Sequence, residues 1–310
     1  MLSPRDRAAP PRSAAGTLVA GAHGFLGLAI VAALAEAGGA PIGLIRHPDH
    51  AEAVRRAGGD PIVGDVRDRA AVVRAARGCR GIVHVASAAG GPEAEARRIR
   101  IDGARTLARA AGEVGASRLV VGSGYWVYAS TTTILHDDSP LEPRGESRVN
   151  LDTEEAAFEA APPGVEVLVV RPGMVYGDGS WFHGMVDAIR GEGYPLPYPG
   201  TNRWSLIERS DAARAFVAVL ERGRPRDAYL AVDDAPIEVG ELVGLVARHL
   251  GRPLPAALSP ERLRDAVGPD VAYHLAANRP ASNARLRALG WAPTTPDPRV
   301  GVPRLLGTLA

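Results

Sequence analysis

Three glycines, Gly21, Gly24 and Gly27, stand in "GAHGFLG", between an apolar run and an Ala/Leu/Ile-rich segment. Gly21 and Gly24 let a backbone turn tightly and approach a pyrophosphate, and Gly27 lets a helix lie close against a sheet. A helix opening at Phe25 and Leu26 adds amide donors and a partial positive charge. The plain alternative is a tight turn with no ligand, against which the strand–turn–helix context weighs. His23, inside the loop, either meets a phosphate or is an exposed loop residue. Arg46 ends the next apolar run, "GLIRHP". An acidic residue there would accept the ribose 2′-hydroxyl of NAD; a guanidinium can instead pair with the 2′-phosphate of NADP. The expected cofactor is therefore NADP(H), with NAD(H) second and a merely solvated Arg46 as the alternative.

These residues need a scaffold. Apolar runs at 17–22, 41–46, 61–65, 81–87, 118–123 and 165–172 alternate with helical segments at Phe25–Ala37, His50–Ala57, Asp68–Ala76, Glu93–Ala111 and Ser147–Ala160. Strands apolar throughout, with helices between them, predict an α/β fold: a doubly wound parallel sheet of Rossmann type. Residues 16–170 are expected to form the dinucleotide-binding domain. Residues 171–310 are expected to be mainly a smaller C-terminal substrate lobe, with some elements returning to the Rossmann core. Helices are expected at Asp211–Arg222 and Ile237–Leu250, with a Pro- and Arg-rich tail after them. Residues 1–15 read as a disordered tail.

The chain has 310 residues, 46% of them hydrophobic, and a formal charge of +1. It can bury a real core, and nothing in its charge suits a nucleic-acid partner. Its single cysteine, Cys79, excludes an internal disulfide and a cysteine-based zinc site, and no metal is expected. No apolar run is long enough to span a bilayer. The expectation is a cytoplasmic protein acting on a small molecule, away from membranes.

From residue 17 onward the chain resembles the extended short-chain dehydrogenase/reductase superfamily, the NAD(P)-dependent epimerase/dehydratase group. The resemblance rests on the glycine loop, "GDVRD" (64–68), "VHVAS" (83–87), "RIDGARTLARAA", "VVGSGYWVY", "VVRPGMVYG", "RWSLIERSDAARAF" and "SNARLRALGWAP", in that order. It implies cofactor contacts at Asp65 and Val66, at Val85, Ala86 and Ser87, and at Pro172 and Val175. It also implies pairing of two long helices into a homodimer.

The resemblance further implies a catalytic Ser/Thr, Tyr and Lys, because hydride transfer to a carbonyl needs a proton at the developing alkoxide. Here the pattern fails. The hydroxyl position falls on Gly124, with Ser123 one residue early; the tyrosine position falls on Ser147 and the lysine position on Leu151, or, with a one-residue shift, on Glu146 and Asn150, which fit no better. The whole chain contains no lysine, and none of its seven tyrosines is followed four residues on by arginine. Tyr125 is the leading surrogate proton donor, by position, and a packed aromatic is its alternative. Ser123 and His136, the latter beside Asp137, are further candidates. Ser147 reads as a helix cap, His183 as a surface residue, and Asp152, Glu154 and Glu155 as a solvated acidic run.

Three functions fit. The first is an atypical NADP-dependent oxidoreductase reducing a carbonyl or an activated C=C of a small metabolite. The second is a non-redox cyclase, dehydratase or isomerase, with Trp181, Phe182, Tyr194, Tyr198 and Trp204 lining an apolar pocket or else forming a local core. The third is a non-catalytic NADP(H)-responsive binding protein. The first is preferred because it is what the scaffold most directly supports.

Overall fold

The structure is a computed structural model describing residues 16–87, 93–145, 147–191 and 193–309. The expected N-terminal tail lies outside the described residues, as does Glu146.

Strand and helix alternate as the apolar pattern requires: β1 (Thr17–Ala20), α1 (Phe25–Glu36), β2 (Pro41–Ile45), α2 (Ala51–Arg56), β3 (Asp60–Val63), α3 (Arg69–Ala76), β4 (Gly81–His84), α4 (Glu93–Val114), β5 (Arg118–Gly122), α5 (Ser147–Ala160) and β6 (Glu166–Pro172). Every residue of β1 and β4 is buried, as in a sheet covered on both faces. Local chemistry sets the ends. Gly38, at φ +81°, stops α1, and its amide returns to Ala35. The Asp68 carboxylate accepts from the amides of Ala70 and Ala71, so Asp68 caps α3 rather than belonging to it.

The remaining elements are β7 (Met174–Tyr176), α6 (Trp181–Arg190), β8 (Arg203–Trp204), β9 (Leu206–Glu208), α7 (Arg209–Arg222), β10 (Ala228–Ala231), β11 (Ile237–Glu238), α8 (Val239–His249), α9 (Pro260–Val267), α10 (Pro269–Ala276), α11 (Ala284–Arg287) and α12 (Pro298–Leu306). Two expectations need correction. Ile237 and Glu238 do not open a helix; they pair antiparallel with Trp204 and Arg203. The Pro/Arg-rich tail is not irregular throughout: Pro260, Pro269 and Pro298 sit in the first turns of α9, α10 and α12, where the missing amide costs nothing.

The main sheet has seven strands in the order β10-β6-β5-β4-β1-β2-β3. β1 lies parallel between β2 and β4, with Val19 opposite Gly43 on one side and Val83 on the other. The chain winds outward from β1 to β3, then returns to β4 on the other side of β1. That reversal makes the β1/β4 junction the switch point, where crossovers change face and loops part at the carboxyl ends of the strands.

The chain folds as two compact units, each discontinuous in sequence. Of the described residues, the first holds those in 16–121, 156–168 and 216–226, and the second holds those in 122–155, 169–215 and 227–309. Within the second, Phe182, Met185, Tyr194, Trp204 and Leu242 are buried together, with Trp181 packed against them. Four of the five aromatics read as possible pocket walls are thus core, and Tyr198 alone of the five is exposed.

Candidate functional site

The glycine loop forms a cradle in the first unit. Gly21 has φ +89°, and a Cβ there would lie 2.6 Å from the Ala86 backbone. A Cβ on Gly27 would lie 2.0 Å from the Gly21 carbonyl oxygen, so α1 could not approach the loop with any larger residue. No side chain caps α1, and its first turn holds no acidic residue, an arrangement suited to an anion.

The loops after four adjacent strands close round one cavity of ≈ 310 Å³. Gly21, His23, Gly24, Phe25, Leu26 and Gly27 line it after β1, Arg46 after β2, Asp65 and Val66 after β3, and Val85, Ala86 and Ser87 after β4. Residues spread over 67 positions of sequence thus meet at the β1/β4 switch point. The loop glycines, the uncapped helix and the cavity they line fit a dinucleotide. Pro172 and Val175 belong to the second unit: Pro172 pairs with Ala231, and Val175 pairs with Ile207 and accepts from Trp181 Nε1 at 2.8 Å.

Charge at the cavity mouth is arranged by β2 and β3. Arg46 is exposed and has no ion-pair partner among the described residues. Asp65 is already engaged: Arg67 donates to it from Nε at 2.9 Å and from Nη2 at 2.6 Å, and these bonds hold its carboxyl below the usual range. Deeper in the unit, burial pushes His84 down to about 4, so its ring is neutral, with Nε2 2.8 Å from the Arg100 carbonyl.

The proton-transfer candidates lie in the second unit. Tyr125 is 1% exposed and sits in an apolar cluster with Val127, Tyr128 and Leu230; burial pushes its phenol far up. Ser123, half-buried, donates its hydroxyl proton to Glu154. Glu154 is 3% exposed, which corrects its reading as part of a solvated run. Arg171 donates to it from Nε at 3.0 Å and Nη2 at 2.6 Å, and from Nη1 to the Tyr128 hydroxyl at 2.8 Å. Tyr128 in turn donates to the Asp137 carbonyl at 2.9 Å. One buried chain of polar groups therefore ties the end of β5 to α5 and β6.

The other candidates are not brought together. His136 is exposed, while Asp137 turns inward and accepts from the Leu230 amide at 2.6 Å. Ser147 is buried and pairs with both backbone groups of Arg144. Leu151 packs against the apolar cluster round Tyr125. His183 pairs with Asp178 at 3.1 Å, and Asp187 pairs with Arg190. Among the described residues no group of three or more His, Cys, Asp or Glu side chains is placed to hold a metal ion. No described helix is long and apolar enough to cross a membrane.

Residues 17–231 match the NAD dependent epimerase/dehydratase family. The chain belongs to that family. It is 33% identical, over 93% of its own length and 99% of the relative's, to 3-diazoavenalumate denitrifying reductase from a Streptomyces species. It is 28% identical, over 76% of its length and 73% of the relative's, to 4-hydroxy-2-methyl-3-oxo-4-farnesyl-3,4-dihydroquinoline-1-oxide ketoreductase from Stigmatella aurantiaca. Its fold matches the crystal structure of human epimerase family protein SDR39U1 with NADPH: TM-score 0.78 at 20% identity, over 94% of this chain and 99% of that one. The chain is thus an atypical member of an NAD(P)-binding family within the short-chain dehydrogenase/reductases.

Two groups of residues escaped the sequence reading. Glu154 and Arg171 carried a partial signal, since opposite charges on a helix and on an apolar strand need a partner once buried. His47 and His50, which approach His23 and Arg46, carried none, because they are distant from the glycine loop in sequence.

Proposed function

We propose that this chain is an NADP(H)-dependent reductase of a small organic metabolite. The observation that carries the cofactor preference is Arg46: an unpaired guanidinium at the cavity mouth, at the end of the strand where an NAD-selective site would hold a carboxylate. The reductase reading is supported by the two relatives named above, both of which are reductases by name. Gly21, Gly24 and the first turn of α1 would hold the pyrophosphate, and Val85, Ala86 and Ser87 would lie along the nucleotide. When bound, NADPH supplies a hydride.

The proton is the harder part. Of the three candidate donors, Tyr125 is buried, with burial pushing its phenol up against the opposing pull of Arg279 and of hydrogen bonds with Trp126 and the Ser205 backbone, and His136 is exposed on its loop. Ser123 is half-buried, and its one hydroxyl proton is donated to the buried Glu154 carboxylate. A lone serine hydroxyl is a weak acid, so this site favours an acceptor that needs little proton delivery. The carbonyl and activated C=C classes remain in view. The Streptomyces relative, named for a diazo substrate and for denitrification, points to a third class. An arenediazonium carbon that receives a hydride loses N2 and leaves as a neutral C–H product, so atoms and charge balance without any proton.

The test is to follow NADPH oxidation with aldehydes and ketones, enones and arenediazonium salts. Diazonium turnover exceeding the carbonyl rates, and unchanged in Tyr125→Phe, is the expected result. Tight NADPH binding with no turnover of any class would instead support a nucleotide-responsive binding protein, the reading that the absent Tyr and Lys favour. Substrate conversion with no change in nucleotide redox state would support a non-redox enzyme.

A further inference from the structure

The mouth of the glycine-loop cavity carries an unusual set of side chains. His23, within the loop, and His50, which ends a 3-10 turn at Pro48–His50, stack face to face, with ring centroids 4.0 Å apart and planes 2° from parallel. His47 meets His50 edge-on at 5.9 Å. The Nδ1 atoms of both stacked rings are buried and have no hydrogen-bond partner among the described residues. Arg46 adds a fixed positive charge beside them and lines the same cavity as His23.

Burial holds His23 below the usual imidazole range, and His50, Arg46 and His47 add to that. No nearby carboxylate relieves the pair. Asp65 is bound by Arg67, Glu52 of α2 pairs with Arg55 at 3.7 Å, and Asp49 in the 3-10 turn is exposed. Two stacked imidazoles, whose inner nitrogens find no partner among the described residues, stand beside a guanidinium with no ion pair among them; the one carboxylate close to it, Asp65, is taken up by Arg67, so the place is suited to an anion. A phosphate monoester carries about two negative charges near neutral pH and three strong acceptor oxygens. Brought to Arg46, it would reverse the balance and favour an imidazolium.

We propose that His50, stacked on His23, completes with Arg46 a receptor for the 2′-phosphate of NADP(H), and that the histidine pair takes up a proton when the phosphate binds. The proposal rests on the NADP reading above and adds to it. Arg46 supplies selectivity at all pH values, and the histidine pair makes that selectivity pH-dependent. The sign follows from linkage. A proton bound more tightly in the complex than in the free protein makes affinity fall as pH rises between the two titration points, by up to about tenfold per pH unit for one proton. Ionisation of the phosphate itself, with a second pKa of about 6, acts in the opposite direction and releases a proton on binding.

The experiment is calorimetric titration of the full chain with NADPH and with NADH. It is run between about pH 6.5 and 8, across the range where a histidine near a phosphate titrates, in buffers of differing ionisation enthalpy. Wild type, His50→Gln and Arg46→Ser are compared. The expected result is net proton uptake with NADPH, an NADPH affinity that falls with rising pH, and a flat NADH affinity. His50→Gln should abolish uptake and slope while leaving NADH binding intact, which also shows that the variant is folded. A wild-type slope and wild-type NADPH/NADH ratio in His50→Gln would overturn the proposal, as would net proton release. If wild type does not discriminate between the nucleotides and Arg46→Ser changes nothing, the NADP reading itself falls. Selectivity lost in Arg46→Ser but unchanged in His50→Gln would overturn the histidine role alone.

Discussion

At the scale of single residues, the sharpest expectations concern Arg46 and Asp233. Arg46→Ser removes a charged donor that the structure leaves without an internal partner, so the protein's own stability should barely change. A hydrogen bond to a charged group contributes about 1.5–3 kcal/mol, so NADPH should bind roughly 10- to 100-fold more weakly while NADH is unaffected. Equal losses for both nucleotides in a titration would place Arg46 outside the phosphate site. Asp233, following β10, is 1% exposed, and neither carboxyl oxygen has a hydrogen-bond partner among the described residues. Burial pushes it up to about 9, and the nearby Ala235 amide offsets this only in part. The folded protein therefore keeps a proton that the unfolded chain releases above the ordinary carboxyl range. Stability should fall as pH rises from about 4 to about 9, by up to about 1.4 kcal/mol per unit from this one group. Asp233→Asn carries no such ionisation. In denaturant unfolding, its advantage over wild type should be small near pH 4 and grow toward pH 8; parallel profiles would show that Asp233 finds a partner after all.

At the scale of elements, the Ser123–Glu154–Arg171–Tyr128 chain joins the end of β5 to α5 and β6. The Arg171 and Glu154 side chains are 7% and 4% exposed, and buried pairs of this kind are costly to break but not always costly to replace. Glu154→Gln should destabilise by about 3–5 kcal/mol by stranding the guanidinium, and Glu154→Gln combined with Arg171→Met should recover part of that loss. Chemical denaturation of the four variants of this cycle measures it, and a double variant worse than the single one would mean that the arginine serves Tyr128 more than Glu154. α7 makes a second junction: the Asp211 side chain is fully buried and accepts from the Thr294 amide at 2.8 Å and the Thr295 amide at 2.9 Å, besides pairing with Arg214. The sequence shows an Asp opening a helix, a favourable charge–dipole placement. It does not show that this carboxylate also anchors a loop more than eighty residues later.

For the whole molecule, the first unit needs three separate stretches of chain. Residues 216–226 return to it, where Arg118 Nη1 donates to the Leu220 carbonyl at 2.9 Å and the Leu220 side chain fills the space over Gly81. A fragment ending at residue 170 would contain every cavity-lining residue yet expose that face. It should melt without a cooperative transition and bind NADPH poorly; a sharp melting curve from the fragment would show that the last stretch is dispensable. For the intact chain, NADPH at about 100 times its dissociation constant should stabilise the folded state by about 2.7 kcal/mol and raise the melting temperature by several degrees.

The sequence alone determined the order of β1, the glycine loop and α1, the parallel sheet, and the absence of any Tyr–Lys pair. Each depends on neighbours within a few residues or on composition, so local sterics and apolar periodicity are enough to read it. The Pro-led helices after residue 259 are also written locally, in prolines that start helices as readily as they end them, so composition alone reads them as a tail. Tertiary structure alone decided that Tyr125 is buried beside Val127, Tyr128 and Leu230, that Glu154 is buried against Arg171, and that His50 lands on His23. These depend on which faces meet when crossovers wind round the sheet, and burial, not residue type, then sets what each side chain can do. The chemistry proposed for this protein follows from that division: the cofactor cradle is local, and the proton handling is not.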